Sequence, residues 1–450
     1  MKYQKKDELQ VQKELFPKRR SEIPNNEKLQ TLQEKLYHKS KQERDFKFYV
    51  LYDKIFIPYV LKEAWLKVKK KDSAAGIDKQ TVKDVEQYGV EKYLHELRED
   101  LRKQIYQPQA IKRIYRTKAN GKLRPIGIGV IRDRIVQTAC KMIIEPIFEA
   151  DFEDCSHGFR PERSSKGAIT EIKKHLKAGL TEVYDADLSA YFDTIPHNKL
   201  YKVLKMRIAD PRLMKLIDKF LKVPVQEDNK KTGGRSNRTG VPQGGVLSPL
   251  LANIYMNLID KAVNKTTGVF NATGAKIVRY ADDFVLMSKE LKAEAQEKLK
   301  ELIARMGLKM NEDKTRTINS EASAFDFLGF TFRYDKGLYG GNYRYWNVMP
   351  SKYNLNKVRH KIREQLHSSL HYAPDRLADA LNKILRNWLN YFEIEGVSYV
   401  SEAKRALRFY LSKSLYRYYN RKSQRKSRLY GRQAMEILVK KYNLIDPTKF

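Results

Sequence analysis

Residues 1–45 are rich in Lys, Glu and Gln, carry a Pro-Asn-Asn break at 24–26 and show no sustained apolar period, which predicts a mobile arm followed by a short helix. The pattern changes between Asp45 and Lys70. Phe48, Leu51, Tyr52 and Ile55, then Leu61, Trp65 and Val68, recur at helical spacing on either side of Pro58, so packed helices begin here and most of these aromatics belong to a core. The stretch IKRIYRTKANGKLRPIGIGVIRDRIVQ (111–137) reads instead as a strand, a turn at Asn120-Gly121 and a returning strand. In TEVYDADLSAYFDTIPH (181–197) a short β-prone run ends at Asp187, and Pro196 soon prevents simple continuation. In KIVRYADDFVLMS (276–288) two apolar strands flank Asp282 and Asp283, which puts both carboxylates at a hairpin tip. Near the end, EAKRALRFYLSKSLYRYYNRKSQRKSRLYGR (402–432) predicts a helix with Leu407, Leu411 and Leu415 on one face and basic stripes, Lys404 with Arg408 and Lys413 with Arg417 and Arg421, on another. There is no repeat period and no long Gly/Ser linker, so the subdomains are expected to pack continuously.

Length and charge narrow the class. A chain of 450 residues can bury a substantial core and form roughly two or three subdomains, which excludes a small binding module. Its 89 Lys and Arg against 54 Asp and Glu leave a formal charge of +35, which points to a polyanionic partner; solubility, or attraction to an acidic membrane, would account for the charge alone. Residues 351–450 hold 22 of the basic residues against 8 acidic ones. Cys140 and Cys155 are too few for a disulfide framework and lack zinc-site spacing, as expected for reduced thiols in a cytoplasmic, bacterial-type protein. The apolar stretch at 46–61 is interrupted by Lys47, Asp53 and Lys54, so neither a signal peptide nor a membrane span is expected.

The chemistry lies in the charged positions. Lys118, Lys122 and Arg124 flank or follow the first hairpin turn, where they could hold the phosphates of a nucleotide; by itself a basic hairpin is more often a solvated surface. Adjacent Asp282 and Asp283 between apolar strands repel each other unless a hard cation such as Mg²⁺ neutralises them, although an isolated pair also makes an ordinary polar turn. Three aspartates from two sites are what two-metal phosphoryl transfer requires. In the C-terminal helix, phosphates could follow the basic stripes, and Tyr416, Tyr418, Tyr419 and Tyr430 could stack on unpaired bases or simply pack.

In order, SHGFRPERSS (156–165), PQGGVLSPLLANI (242–254), YADD (280–283), GLKMNEDKT (307–315) and FDFLGF (325–330) make the chain resemble the reverse transcriptases encoded by group II introns, maturases included, from about Tyr37 to the C-terminus. The resemblance implies an α+β right-hand polymerase: an N-terminal extension (1–60), helical fingers (61–180 with part of 198–245), a palm with a small antiparallel sheet (181–335) and a helical thumb and maturase region (336–450). It makes Asp187, Asp282 and Asp283 the catalytic, metal-binding carboxylates, with the backbone carbonyl of Leu188 as a further ligand, two Mg²⁺ ions as cofactors and Mn²⁺ as a substitute. Lys118, Arg124, Gln243 and Lys314 would lie on the incoming nucleotide, though a salt bridge explains Lys314 nearly as well. Tyr191 would stack under the deoxyribose and exclude a 2′-hydroxyl, with Phe192 facing the core, or be an ordinary core tyrosine. His157, Phe159, Arg160, Gly244 and Gly329 would touch template or primer, Gly244 and Gly245 by letting backbone approach nucleic acid, while His157 could equally be a satisfied core histidine. Asp185 and Asp193 are not read as ligands, and Asp193 is expected to anchor the following helix.

The implied partners are an RNA template, a DNA or RNA primer, dNTPs and group II intron RNA; no membrane is implied, and homodimer formation stays open. No Cys/His cluster follows residue 432, so the endonuclease domain of some relatives is not expected, and mobility would need a pre-existing primer or another nuclease. Two other functions remain: a domesticated reverse transcriptase in defence or repair, and an RNA-binding splicing factor without polymerase activity.

Overall fold

A computed structural model of the chain describes residues 24–117, 123–227, 230–337, 343–421, 427 and 429–450. It divides into two compact units, each assembled from separated stretches of sequence. One gathers the residues up to Asp154, Leu188–Ile259 and Glu301–Lys309; the other gathers Cys155–Asp187, Asp260–Lys300 and Met310–Phe450.

The first unit is built on the helix Ile131–Glu149, which is apolar on nearly every side and is buried along most of its length. Helices Asn25–Gln42 and Pro58–Lys71 pack on it. The first of these is longer than the short helix expected: Leu29 and Leu36 are buried on one face, and Gln33 and Ser40 donate to the carbonyls of Met142 and Ile147. Sparse apolar positions joined by such polar anchors escape a search for apolar period. Arg207, itself buried, then fixes the following turn by pairing with Asp151 at 2.7 and 2.8 Å and donating to the carbonyls of Ser40, Glu43 and Phe46. Phe48, read as helical, instead forms a parallel bridge to Ile208, and helix begins only at Tyr52–Ile55; the burial expected for Phe48 through Val68 nonetheless holds at every named position. Strands β1 (Ile111–Thr117) and β2 (Leu123–Ile128) form the expected hairpin, whose turn, with Lys118, Asn120, Gly121 and Lys122, lies outside the described residues. With β3 at Glu182–Ala186 belonging to the other unit, β4 (Pro224–Glu227) and β5 (Lys230–Gly233) complete a sheet of order β2-β1-β4-β5.

The second unit contains a fully antiparallel sheet of order β6-β7-β3-β8, from β6 (Lys276–Tyr280), β7 (Asp283–Ser288), β3 and β8 (Arg316–Asn319). Val278, Val285, Met287 and Val183 turn to a core shared with helix Ser165–Lys177. A second sheet, β9 (Phe325–Phe327), β10 (Phe330–Lys336) and β11 (Arg344–Pro350), joins the same core. Four C-terminal helices, Lys352–Ser368, Pro374–Phe392, Ser401–Tyr419 and Ala434–Tyr442, extend it, and Leu407, Leu411 and Leu415 are buried as their spacing predicts. Cys140 and Cys155 are free and buried. Among the described residues no helix is long and apolar enough to cross a membrane.

Candidate active site

The register of the four-stranded sheet brings the acidic residues together. Ala186 of β3 pairs with Phe284 of β7, so the next step along both strands sets Asp187 opposite Asp283, at the end where Ala281 and Asp282 turn the β6–β7 hairpin. Although Asp283 as a residue is exposed, desolvation of its carboxyl among its neighbours raises it to about 6, and the charges of Asp282, Asp187 and Asp185 add to that rise while Lys314 opposes it. Asp185 is also raised, chiefly by burial, with Arg316 pulling the other way, so it stays beside the group in an ion pair of its own. Leu188, next after Asp187, is buried.

The NEDKT segment holds Asp187 from the far side. Lys314 Nζ and Asn311 Nδ2 both donate to Asp187 Oδ2, at 2.9 and 3.0 Å, and the Asn311 backbone N–H donates to the Asp187 carbonyl at 2.8 Å. Sequence reasoning passes over Asn311; its place in the NEDKT motif is the signal that could have found it. Of the two roles open for Lys314, the structure shows the salt bridge. Among the described residues no three carboxylate, histidine or cysteine side chains are already gathered into a metal site, in keeping with an Asp187 oxygen held by an ammonium and an amide. The donor set nonetheless suits a hard divalent ion: the carboxylates are all oxygen ligands, and their mutual repulsion, which adds to the desolvation that raises the Asp283 carboxyl, is what a cation relieves.

The SHGFR segment is corrected in part. His157 is buried, with Nε2 2.6 Å from Glu171 and its backbone N–H donating to the Arg279 carbonyl; Arg160 is buried and donates to the Ser156 carbonyl. Both side chains are therefore engaged within the protein. Phe159 alone is exposed, at a φ of 58°, with its ring 6.4 Å from that of Tyr280. Gly329 has a φ of 82°, and a Cβ there would lie 2.5 Å from Asn354, so its requirement is conformational.

In the first unit, Arg124 Nε reaches Gln243 Oε1 at 3.4 Å, and Gln243 Nε2 donates to Asp193 Oδ2 at 3.0 Å; Gln243 itself is half-buried. The glycines beside it are packed closely by protein: a Cβ on Gly244 would lie 2.3 Å from the Gly127 carbonyl and one on Gly245 2.7 Å from Ser248 Oγ. Tyr191 and Phe192 are reversed in burial. Tyr191 is buried and its hydroxyl donates to the Ala252 carbonyl at 2.6 Å, whereas Phe192 is only half-buried. A cavity of about 240 Å³ lies beside these residues, lined by Ile111, Arg113, Gly127, Asp193, Gly240 and Gln243 among others.

The basic stripe on Ser401–Tyr419 is also narrower than its spacing suggests. Lys404 is buried on Glu393, Arg408 pairs with Asp446 at 3.0 Å, and Arg421 donates to the Leu370 carbonyl and lies over the Tyr418 ring. Lys413 and Arg417 are exposed, as are Phe409 and Tyr416, while Tyr418 and Tyr419 are buried.

Comparison with known proteins adds an independent line. A family model described as reverse transcriptase (RNA-dependent DNA polymerase) matches residues 116–332, and one described as group II intron, maturase-specific domain matches residues 355–436. Protein YkfC of Escherichia coli is 38% identical over 54% of this chain and 72% of its own length. Group II intron-encoded protein LtrA of Lactococcus lactis is 30% identical over 64% of this chain, which thus spans about half (55%) of that relative. A chain of a solved partial Cas6-RT-Cas1–Cas2 complex shares 23% identity over 56% of this chain and 42% of its own, with a TM-score of 0.36.

Proposed function

This chain belongs to the reverse transcriptases of the group II intron family, and on that footing we propose that it is an RNA-directed DNA polymerase that extends a primer with dNTPs on an RNA template and also binds intron RNA to assist splicing. The observation that carries the reading is the register placing Asp187 opposite Asp283 beside Asp282. These three carboxylates would hold the divalent ions, with the Leu188 carbonyl as a further ligand. Two Mg²⁺ ions, for which Mn²⁺ is a substitute, would lower the pKa of the primer 3′-hydroxyl and neutralise the triphosphate as that hydroxyl attacks the α-phosphate and pyrophosphate leaves.

The chain's own residues bind and orient. Arg124, bonded to Gln243 through its Nε, has its Nη donors to offer to triphosphate oxygens, and Lys118 would join it; Lys314 would leave Asp187 for phosphate as the nucleotide enters. The bulk that excludes a 2′-hydroxyl is better supplied by half-buried Phe192 than by Tyr191, whose hydroxyl is tied to backbone. In this reading the first unit contributes the fingers, the sheet bearing the aspartates the palm, and the C-terminal helices the thumb, where exposed Lys413 and Arg417 meet RNA phosphates.

The test is primer extension on an RNA template with Mg²⁺, comparing dNTPs with rNTPs. Incorporation of dNTPs alone supports the polymerase; no incorporation by protein that still binds RNA would leave a splicing factor. For the maturase role, the readout is intron splicing at physiological Mg²⁺, which the protein should accelerate.

A further inference from the structure

Arg279 is the largest fully buried side chain among the described residues, and it lies in β6 two residues before Ala281, where the turn to the paired aspartates begins. Its guanidinium is engaged in three directions. Nε donates to both Asp260 oxygens at 2.9 and 3.0 Å, Nη2 donates to Asp260 and to Ser156 Oγ, the latter at 2.6 Å, and Nη1 donates to the Ala281 carbonyl at 2.9 Å. Ala281 has a φ of 61°, a conformation that residues with a Cβ rarely adopt, so the turn needs an external hold. The backbone of Arg279 is fixed as well: its N–H donates to the Cys155 carbonyl at 2.8 Å, and its carbonyl accepts from the His157 N–H at 2.9 Å. Gly158 closes the clamp, since a Cβ there would lie 2.4 Å from the Ala281 nitrogen.

We propose that Arg279, held by Asp260 and Ser156, is a positioning residue that sets the Asp282–Asp283 turn in its metal-binding geometry, with the 155–160 segment as its outer brace. A buried ion pair is a poor device for stability alone, because an apolar pair of the same volume fills the space without the desolvation cost. An apolar pair would leave the Ala281 carbonyl unheld. The forked shape of arginine is required as well: a lysine keeps the charge opposite Asp260 but cannot reach two acceptors and the turn carbonyl together. His157 and Arg160 find their role here, as the side chains that stiffen the brace through Glu171 and the Ser156 carbonyl.

The inference rests on the polymerase reading, so its test starts from native protein that extends primers; native protein that does not would refute that reading and not this one. Arg279→Lys and Gly158→Ala are compared with native full-length protein, each corrected for folded fraction by circular dichroism. The expected result is a kcat lowered by about tenfold or more in both. The Mg²⁺ concentration for half-maximal activity should rise, with the dNTP KM and RNA affinity close to native. Gly158→Ala leaves the ion pair intact and so separates displacement of the turn from loss of a buried charge partner. Native kcat and Mg²⁺ dependence per folded molecule in both variants, or failure of both to fold, would overturn the proposal in favour of a purely scaffolding role.

Discussion

Replacing Lys314 with alanine should raise the KM for dNTP while leaving the fold almost untouched. Its ammonium lies 2.9 Å from Asp187 Oδ2, but the lysine side chain is 65% exposed and the aspartate side chain 30%. An ion pair this open contributes at most about 1 kcal/mol to stability, so the melting temperature should hardly move. Transferred to a triphosphate oxygen, the same charge interacts with about 1 kcal/mol at 4 Å in water and about 4 kcal/mol at an effective dielectric of 20. The exposure of Lys314 puts it near the watery limit, so roughly 1–2 kcal/mol is lost, or about 5- to 30-fold in KM. A second effect has the opposite sign for the metal: with the competing ammonium gone from Asp187, half-maximal activity should need less Mg²⁺. Steady-state primer extension at saturating primer–template, titrating dNTP and then Mg²⁺, measures both. An unchanged dNTP KM with lowered Mg²⁺ demand would show that Lys314 only neutralises Asp187, and the reasoning that moves it to phosphate would be wrong.

Phe192→Val should admit rNTPs while Tyr191→Phe, which removes only the hydroxyl bonded to Ala252, should leave sugar discrimination intact; the reverse outcome in an rNTP/dNTP competition would return the gate to Tyr191. Because the Asp283 carboxyl stands at about 6, above its ordinary value, protons compete with the divalent ion as pH falls through that point. Half-activating Mg²⁺ should therefore rise below pH about 6, by up to about tenfold per unit for a single proton. In metal-free protein the same raised carboxyl gives a stability contribution that is fully present below the unfolded value near 3.8 and lost as pH rises through 6, a loss that added Mg²⁺ should reverse. On the C-terminal helix, Lys413→Ala with Arg417→Ala should lower RNA affinity and reduce the salt-dependence slope by about one for each phosphate no longer neutralised. Lys404→Ala, buried on Glu393, should leave that slope unchanged and lower the melting temperature instead.

These contrasts mark what the sequence could reveal. The β-prone run that ends at Asp187 and the apolar runs on either side of Asp282–Asp283 are signals carried by each segment alone, so the hairpin and the aspartates are legible without knowledge of their pairing. Leu407, Leu411 and Leu415 follow the helical period for the same reason. Partners distant in sequence are not legible. Lys404 sits on a basic stripe by spacing, yet Glu393 draws it inward, and Tyr191 differs from Phe192 only in having a hydroxyl that finds the Ala252 carbonyl. Nothing local to Gly244 shows that the Gly127 carbonyl lies so close that a Cβ would meet it at 2.3 Å. Helix Asn25–Gln42 is anchored by Gln33 and Ser40 on distant carbonyls, an interaction with no footprint in hydrophobic period.

The most direct test of the central claim is primer extension on an RNA template by native protein and by a variant carrying Asp282→Ala and Asp283→Ala, with RNA binding measured alongside. The account predicts dNTP incorporation by the native protein, none by the variant, and equal RNA affinity in the two; incorporation that survives loss of both carboxylates would contradict it.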